Sequence, residues 1–435
     1  MTTQDRRAIH GGGPVDAEFI APPSKSVTQR ALILAALASG PCTLLAPLDS
    51  DDTQAMADAL SALGFSVRRS PGAWEVQGQG GRIPSQGATL NAADAGTAAR
   101  FLTALVCLGR GRFVVDGSQR MRQRPIQPLV DALRQLGVQG RYLENRGCPP
   151  VEILAEGLKG GRVQVRGEQS SQFLSALLLV ASKASSPLRL EPDGGLASLP
   201  YLRLTAQVMQ AFGVGPRESD PLAYDVSAPR EYAGREYAIE GDYSSAGYFF
   251  AAAAITGGRV RVGNLRENSA QADREILTAL AEMGCRVEAA DGGWTVTGSE
   301  LKPLEKDLSA MPDAAPTLAV TAIFARGKSV LSGLSTLRVK ESDRLSALAR
   351  ELSRLGAEVV EGADFLEISP RPLRGASVET YNDHRMAMSL ALPGLVLTGV
   401  TILNPACTAK TYPDYFGDLA NLVSQSTNNL AWPKV

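Results

Sequence analysis

The 435-residue chain contains only two histidines, His10 and His384, so a multi-histidine metal site is excluded. Its five cysteines (Cys42, Cys107, Cys148, Cys285 and Cys407) are odd in number, scattered, and nowhere spaced as CxxC. A disulfide framework and a zinc ribbon are therefore not expected, and a reducing compartment is. The formal net charge is −1, which argues against broad electrostatic binding to nucleic acid or membrane. Apolar runs such as FLSALLLVA are too short to span a bilayer, and MTTQDRRAIHGGG has no apolar signal core. No GxGxxG follows a strand pattern, and neither GxxxxGK[ST] nor GxSxG occurs. Nucleotide-driven chemistry and serine hydrolysis thus lack support.

What is present is a loose repeat, with 44% hydrophobic and 20% charged residues to build more than one core. Six polar clusters, SKSVTQR, DAGTAAR, QSSQFL, DYSSAGYF, PDAAPT and NDHRMAM, begin near Ser24, Asp94, Gln169, Asp242, Pro312 and Asn382. A helix rich in Ala and Leu follows each, then a turn, a strand, an amphipathic helix and two short strands. Stretches such as DALSALGFSV, DALRQLGVQG and ARELSRLGAEV end on the glycine that commonly closes a helix. Six strand–helix alternations predict an α/β fold dividing three plus three, with the crossover in EYAGREYAIEGDYSSA. The last unit is abbreviated. Residues before Lys25 precede the first unit and are free to return to the second half.

The clearest cluster is Pro22-Pro23-Ser24-Lys25-Ser26-Val27-Thr28-Gln29-Arg30. The prolines delay the helix, Ser24 is placed to cap it, and Lys25 and Arg30 add charge beside unpaired backbone N–H groups. This reads as a phosphate or carboxylate site, or as an ordinary helix start with solvated cations. Asp94-Ala95-Gly96-Thr97 and Arg100 come next, followed by Arg120, Arg122 and Arg124. Gly96 permits close backbone approach. Arg124, fixed beside Pro125, suits an anion clamp, whereas Arg120 and Arg122 read equally as a solvated face. Ser170-Ser171-Gln172 and Asp242 with Ser244, Ser245 and Tyr248 suit hydroxyl recognition or plain capping. Asp313 with Lys340, Glu341, Asp343 and Arg344 reads as a salt-bridged surface or a cation-tuned acid–base pair. Asn382, Asp383, His384 and Arg385 open the last helix, and Lys410 follows in ACTAKTYPDYF.

These clusters resemble the 5-enolpyruvylshikimate-3-phosphate synthase family from about Pro23 to Phe416. SKSVTQRALILAALASG, AGTAARFLTAL, RMRQRPI, SSQFLSALL, EGDYSSAGYFFAAAAITGG, PDAAPTLAV, LRVKESDRLSALARELSRLGAEV, YNDHRMAM and CTAKTYPDYF stand in family order. The resemblance implies a mixed α/β fold of two lobes, each of three βαβαββ units around a pseudo-threefold axis, with a ligand cleft between lobes. Residues 24–240 would form the first lobe, and 1–23 plus 241–435 the second. It implies transfer of the enolpyruvyl group of phosphoenolpyruvate to the 5-hydroxyl of shikimate 3-phosphate, by addition and elimination, with no cofactor and no metal. Shikimate 3-phosphate would contact Lys25, Ser26, Arg30, Ser170, Ser171, Gln172, Ser245, Asp313 and Lys340. Phosphoenolpyruvate would contact Lys25, Gly96, Arg124, Gln172, Arg344, Arg385 and Lys410. Asp313 would be the base and Glu341 the proton donor, with Lys25, His384 and Lys410 assisting. A cytoplasmic monomer of the shikimate pathway is expected, from a family that glyphosate targets.

The rival is the sister family acting on UDP-N-acetylglucosamine, which uses a loop cysteine and Lys-Asn in its first cluster; Lys25-Ser26 stands here, and Cys107 lies in an apolar run. A catalytically silent ligand-binding member is the other alternative. Two departures from the family pattern are Asp94, where Asn is usual, and Thr336, where many members have Asn. Asp94→Asn is expected to change the KM for phosphoenolpyruvate more than that for shikimate 3-phosphate in steady-state kinetics. Equal changes would displace Asp94 from the donor side.

Overall fold

A computed structural model describes residues 5–219 and 222–431, and side chains to 426. The outermost ends of the expected second lobe, 1–4 and 432–435, lie outside the described residues. The chain divides into two compact units, one of Pro23–Ile239 and one of Met1–Pro22 with Glu240–Val435.

The Pro23–Ile239 unit repeats one sheet design three times. In the middle repeat, Gly87–Asn91 pairs in parallel with Arg110–Asp116, which pairs antiparallel with Val151–Glu156, which pairs antiparallel with Gln139–Tyr142. The strands Gly161–Arg166, Leu188–Asp193, Ala223–Val226 and Arg217–Ser219 follow the same order. The first repeat borrows its opening strand: Glu236–Ala238 pairs in parallel with Pro41–Leu45, beside Ala73–Gln77 and Val67–Ser70. Parallel neighbours need a crossover, and a helix supplies it in the second and third repeats, Gly96–Val106 and Gln172–Ala181.

The other unit uses the same order with two further loans. Asp16–Ile20 opens a sheet with Arg259–Gly263, Gly293–Thr297 and Arg286–Ala290. Glu305–Asp307, Ser329–Ser332, Leu366–Ser369 and Glu358–Glu361 need no loan. The abbreviated last repeat has three strands, Ser377–Val378, Thr401–Leu403 and, from the far N-terminus, Arg6–Ala8.

Each of the six polar openings does start a helix: Lys25–Leu37, Gly96–Val106, Gln172–Ala181, Tyr243–Thr256, Ala315–Ala322 and His384–Ala391. These helices are buried on nearly every face, as their unbroken Ala/Leu runs require. Capping differs from expectation. Asp242 and Asp383 accept from Ser245 N and Arg385 N, whereas Ser24 and Ser171 make no side-chain cap bond. At Ser24 the Thr28 hydroxyl and N–H both bond the Ser24 carbonyl, closing the turn from inside. Ala95 and Ala314 stand at the cap positions of two others and have no side-chain oxygen to offer.

The amphipathic helices end uniformly. Gly64, Gly137, Gly213, Gly284 and Gly356 all have positive φ. At Gly64 and Gly137 the next N–H reaches back five residues, Phe65 to Leu60 O and Val138 to Leu133 O. That closure needs a left-handed residue, which an L side chain resists by about 1–2 kcal/mol. Gly213 has open space where a Cβ would go, so strain alone is at stake there. Urea unfolding should therefore show Gly213→Ala losing about 1–2 kcal/mol, and Gly417→Ala, within Tyr415–Ala431 and equally uncrowded, gaining about 0.5–1 kcal/mol.

Candidate active site

In the Pro23–Ile239 unit the buried Arg30 guanidinium joins all three central helices. Its Nε donates to Thr205 Oγ1 at 2.8 Å, one Nη to Ser26 O at 2.9 Å, and the other to Tyr201 O at 3.3 Å and Ser175 Oγ at 3.5 Å. It also lies 5.3 Å from the centre of the Phe101 ring. Ser175 belongs to the Gln172 helix and Phe101 to the Gly96 helix. Burial pulls Arg30 down to about 10, which leaves it charged at neutral pH. This expected substrate ligand thus also holds the helix starts in place.

Other expected residues of this unit make local contacts at the helix starts. Gln172 Nε2 donates to Thr97 Oγ1 at 3.2 Å, and Gln172 N donates to Ser170 Oγ at 3.2 Å, linking two helix starts. Lys25 Nζ sits 3.1 Å from Asp52 Oδ2, a partner that sequence reading did not single out. Asp52 belongs to the acidic first turn of Asp51–Ala62, a favourable place for a carboxylate but a weak functional signal. Gly96 has a steric reason: a Cβ there would lie 2.7 Å from Arg124 Nη2 and 2.6 Å from Arg100 Nη1. Arg100 braces the same loop, donating to Gly96 O at 2.9 Å and Pro125 O at 2.7 Å, while Arg124 Nη1 donates to Asp94 O at 3.2 Å. The Asp94 carboxylate accepts from Ser118 Oγ. Arg122 instead pairs with Asp116 at 2.6 Å and Glu144 at 2.8 Å on the surface, and Arg120 reaches exposed Gln123.

In the second unit the charges interlock. Arg344, almost fully buried, donates from Nε and Nη2 to the two oxygens of Asp383 at 2.8 and 3.1 Å. Its Nη2 also reaches Glu341 Oε2 at 2.7 Å, and its Nη1 reaches Asp313 Oδ1 at 3.1 Å. Asp313 is further held by Lys340 at 3.4 Å and by Arg385 Nη2 at 2.9 Å. Arg385 extends to Ser244 Oγ at 3.3 Å and Tyr248 OH at 3.4 Å. Burial alone would raise the Asp313 carboxyl, but the Arg385, Lys340 and Arg344 cations hold it well below the usual carboxylate range. Burial also opposes the charge of Arg344, yet Asp383, Glu341 and Asp313 raise it above an ordinary arginine.

Ser245 and buried His384 stand in the first turns of their helices, and His384 Nδ1 lies 3.8 Å from Asp383 Oδ1. Lys410 closes the turn Pro405–Lys410, which packs on the His384 helix. Thr336 Oγ1 is buried with no hydrogen-bond partner among the described residues. Asp383 was visible only as one letter of YNDHRMAM; its duty as the bidentate partner of Arg344 has no local signal. Among the described residues no group of His, Cys, Asp and Glu is arranged to hold a metal ion, and no helix is long and apolar enough to cross a membrane.

Residues 9–419 match the family model described as EPSP synthase (3-phosphoshikimate 1-carboxyvinyltransferase). The chain is 46% identical over 424 residues to the 3-phosphoshikimate 1-carboxyvinyltransferase of Erwinia tasmaniensis, covering 96% of this chain and 99% of that one. It is 45% identical over 414 residues to that of Aliivibrio salmonicida, covering 94% and 97%. A solved EPSP synthase from Acinetobacter baumannii superposes with TM-score 0.79 at 25% identity, covering 96% of this chain and 97% of that one.

The Asp313 charge predicts a pH signature. Its folded carboxyl lies below the unfolded value of 3.8, so its stabilisation is fully present above that value and is lost as pH falls through the folded one. Asp313→Asn should therefore lower the urea midpoint at pH 7, with the deficit shrinking in strong acid. A deficit unchanged with pH would show that packing, not charge, is lost.

Proposed function

The chain belongs to the EPSP synthase (3-phosphoshikimate 1-carboxyvinyltransferase) family, and we propose that it transfers the enolpyruvyl group of phosphoenolpyruvate to the 5-hydroxyl of shikimate 3-phosphate, releasing phosphate. The observation that carries this reading is the ionised Asp313 carboxylate held among Lys340, Arg344 and Arg385, with Glu341 on the same Arg344 guanidinium.

Both substrates are phosphorylated carboxylates, and each unit offers cations beside helix starts. Lys25, Gly96, Arg124 and Gln172 from one unit, with Arg344, Arg385 and Lys410 from the other, take phosphoenolpyruvate. Lys25, Ser26, Arg30, Ser170, Ser171, Gln172, Ser245, Asp313 and Lys340 take shikimate 3-phosphate. Asp313 accepts the proton of the 5-hydroxyl as its oxygen attacks C2 of phosphoenolpyruvate, and Glu341 delivers a proton to the methylene carbon. The tetrahedral adduct then loses a methyl proton and phosphate, restoring the double bond. Lys25, His384 and Lys410 assist these proton movements and the departing phosphate.

The resting cluster explains why the base needs its ligands. With three cations around it, Asp313 is a weak base. Substrate anions that share the charge of Arg385, Lys340 and Arg344 weaken that field and raise its basicity. The same competition at Arg344 frees Glu341 to take up a proton. Action in a reducing compartment such as the cytoplasm is consistent with the five free cysteines.

The sister reaction on UDP-N-acetylglucosamine is disfavoured by Cys107. Its thiol is buried and donates to Thr103 O at 3.1 Å, and burial pushes its pKa up. Phosphate release from phosphoenolpyruvate, measured separately with shikimate 3-phosphate and with UDP-N-acetylglucosamine, should appear only with the first. Release with the second alone would reverse the assignment. Ligand binding without release would identify a silent member.

A further inference from the structure

Asp273 is a buried carboxylate with no part in the chemistry above. It lies in the short turn Ala272–Glu275, just before the helix Ile276–Glu282, and is 2% exposed. One oxygen accepts from Ser244 Oγ. The other, Oδ1, is buried with no hydrogen-bond partner among the described residues. Ser244 Oγ is also 3.3 Å from Arg385 Nη2, and that same nitrogen is 2.9 Å from Asp313 Oδ2. A line of contacts thus runs from Asp273 through one hydroxyl and one guanidinium to Asp313.

We propose that Asp273 is a positioning residue of the reaction, fixing the Arg385 guanidinium through Ser244 and setting how much of its positive charge falls on Asp313. This rests on the roles given above to Arg385 and Asp313. A buried carboxylate with an unsatisfied oxygen is costly, and packing alone would be served better by an apolar side chain. As counter-charge, Asp273 reduces the field of Arg385 at Asp313, so losing its charge makes Asp313 a weaker base and Arg385 a stronger anion ligand.

The groups acting on Asp273 come from several elements. Arg385 comes from the His384 helix, Asp313 from the turn before the Ala315 helix, and Ser244 and Asp242 from the start of the Tyr243 helix. On its own turn, Arg274 lies over the Trp294 ring at 5.7 Å. Burial raises the Asp273 carboxyl to about 6; Arg385 pulls it down, and Asp313 and Asp242 push it up. Asp273 is therefore ionised at neutral pH and discharges in mild acid.

The test is steady-state kinetics of the full-length enzyme from pH 5 to 8.5, with melting temperatures, for the wild type, Asp273→Asn, Ser244→Ala and Asp313→Asn. The wild-type kcat should fall below an inflection near pH 6. At pH 7.5 Asp273→Asn should lower kcat about three- to tenfold, as for a general base weakened by about one pKa unit, and lower the KM for phosphoenolpyruvate. It should also abolish the inflection. Ser244→Ala should move kcat and KM in the same directions by a smaller factor, and it decides the matter if Asp273→Asn does not fold. Variants that lose melting temperature or active fraction but keep the wild-type KM and pH profile would overturn the proposal, reducing Asp273 to a packing group. An inactive Asp313→Asn beside normal Asp273→Asn and Ser244→Ala would sink this inference alone. Full turnover by Asp313→Asn would sink the catalytic reading beneath it.

Discussion

A guanidinium cut off from water must find its partners inside the protein, and Arg344 does so with the carboxylates of Asp383, Asp313 and Glu341. Burying an ion pair brings little net stability, but removing one partner typically costs about 3–5 kcal/mol. The arrangement is therefore constrained to be complete. Asp383 starts one helix, Arg344 starts another and Asp313 precedes a third. The polar start of the second unit is set by neutralising this one cation. Arg385 and Lys340 then have a defined carboxylate to face.

At Arg30 the Pro23–Ile239 unit solves the equivalent problem without carboxylates. Arg30 is satisfied by hydroxyls, carbonyls and an aromatic face, and retains its full charge. Neutral partners leave a cation's field available to an incoming anion, whereas ionised partners already use it. Arg30 thus remains a standing attractor of negative charge in its unit, although Lys25 already shares its charge with Asp52. The other unit holds carboxylates whose proton affinity depends on what the neighbouring cations are bound to.

Much of this was legible in the sequence. The six helix starts, the glycine closures and the strand–helix alternation follow from local rules about left-handed residues and periodicity, whereas the βαβαββ order came with the family resemblance. Gln172 drew notice because it stands in one of those starts, and Arg124 because it is fixed beside Pro125. What local rules missed was long-range. Asp52, Asp273 and Asp383 are ordinary acidic letters until the fold brings Lys25, Ser244 and Arg344 to them. Capping by Ser24 was read from residue type, but the Thr28 hydroxyl takes the Ser24 carbonyl in a closed turn instead. The loaned strands were equally invisible, because Arg6–Ala8 and Asp16–Ile20 are short and carry no sign of their partners.

Those loans have a consequence for how the polypeptide is made. Ala21 bonds Gly263, and its carbonyl accepts from Asn264, 243 residues further on. At bacterial or eukaryotic elongation speeds that interval is roughly 12–50 s. For most of it, the first two strands have left the ribosome and their ladder partners have not been synthesised. The inserted segment Pro23–Ile239 has every strand it needs once residue 238 emerges, so it can close while the leader still waits. The exposed glutamate, aspartate and arginine side chains of those two leading strands keep their bare edges soluble until the carboxyl-terminal half arrives to claim them.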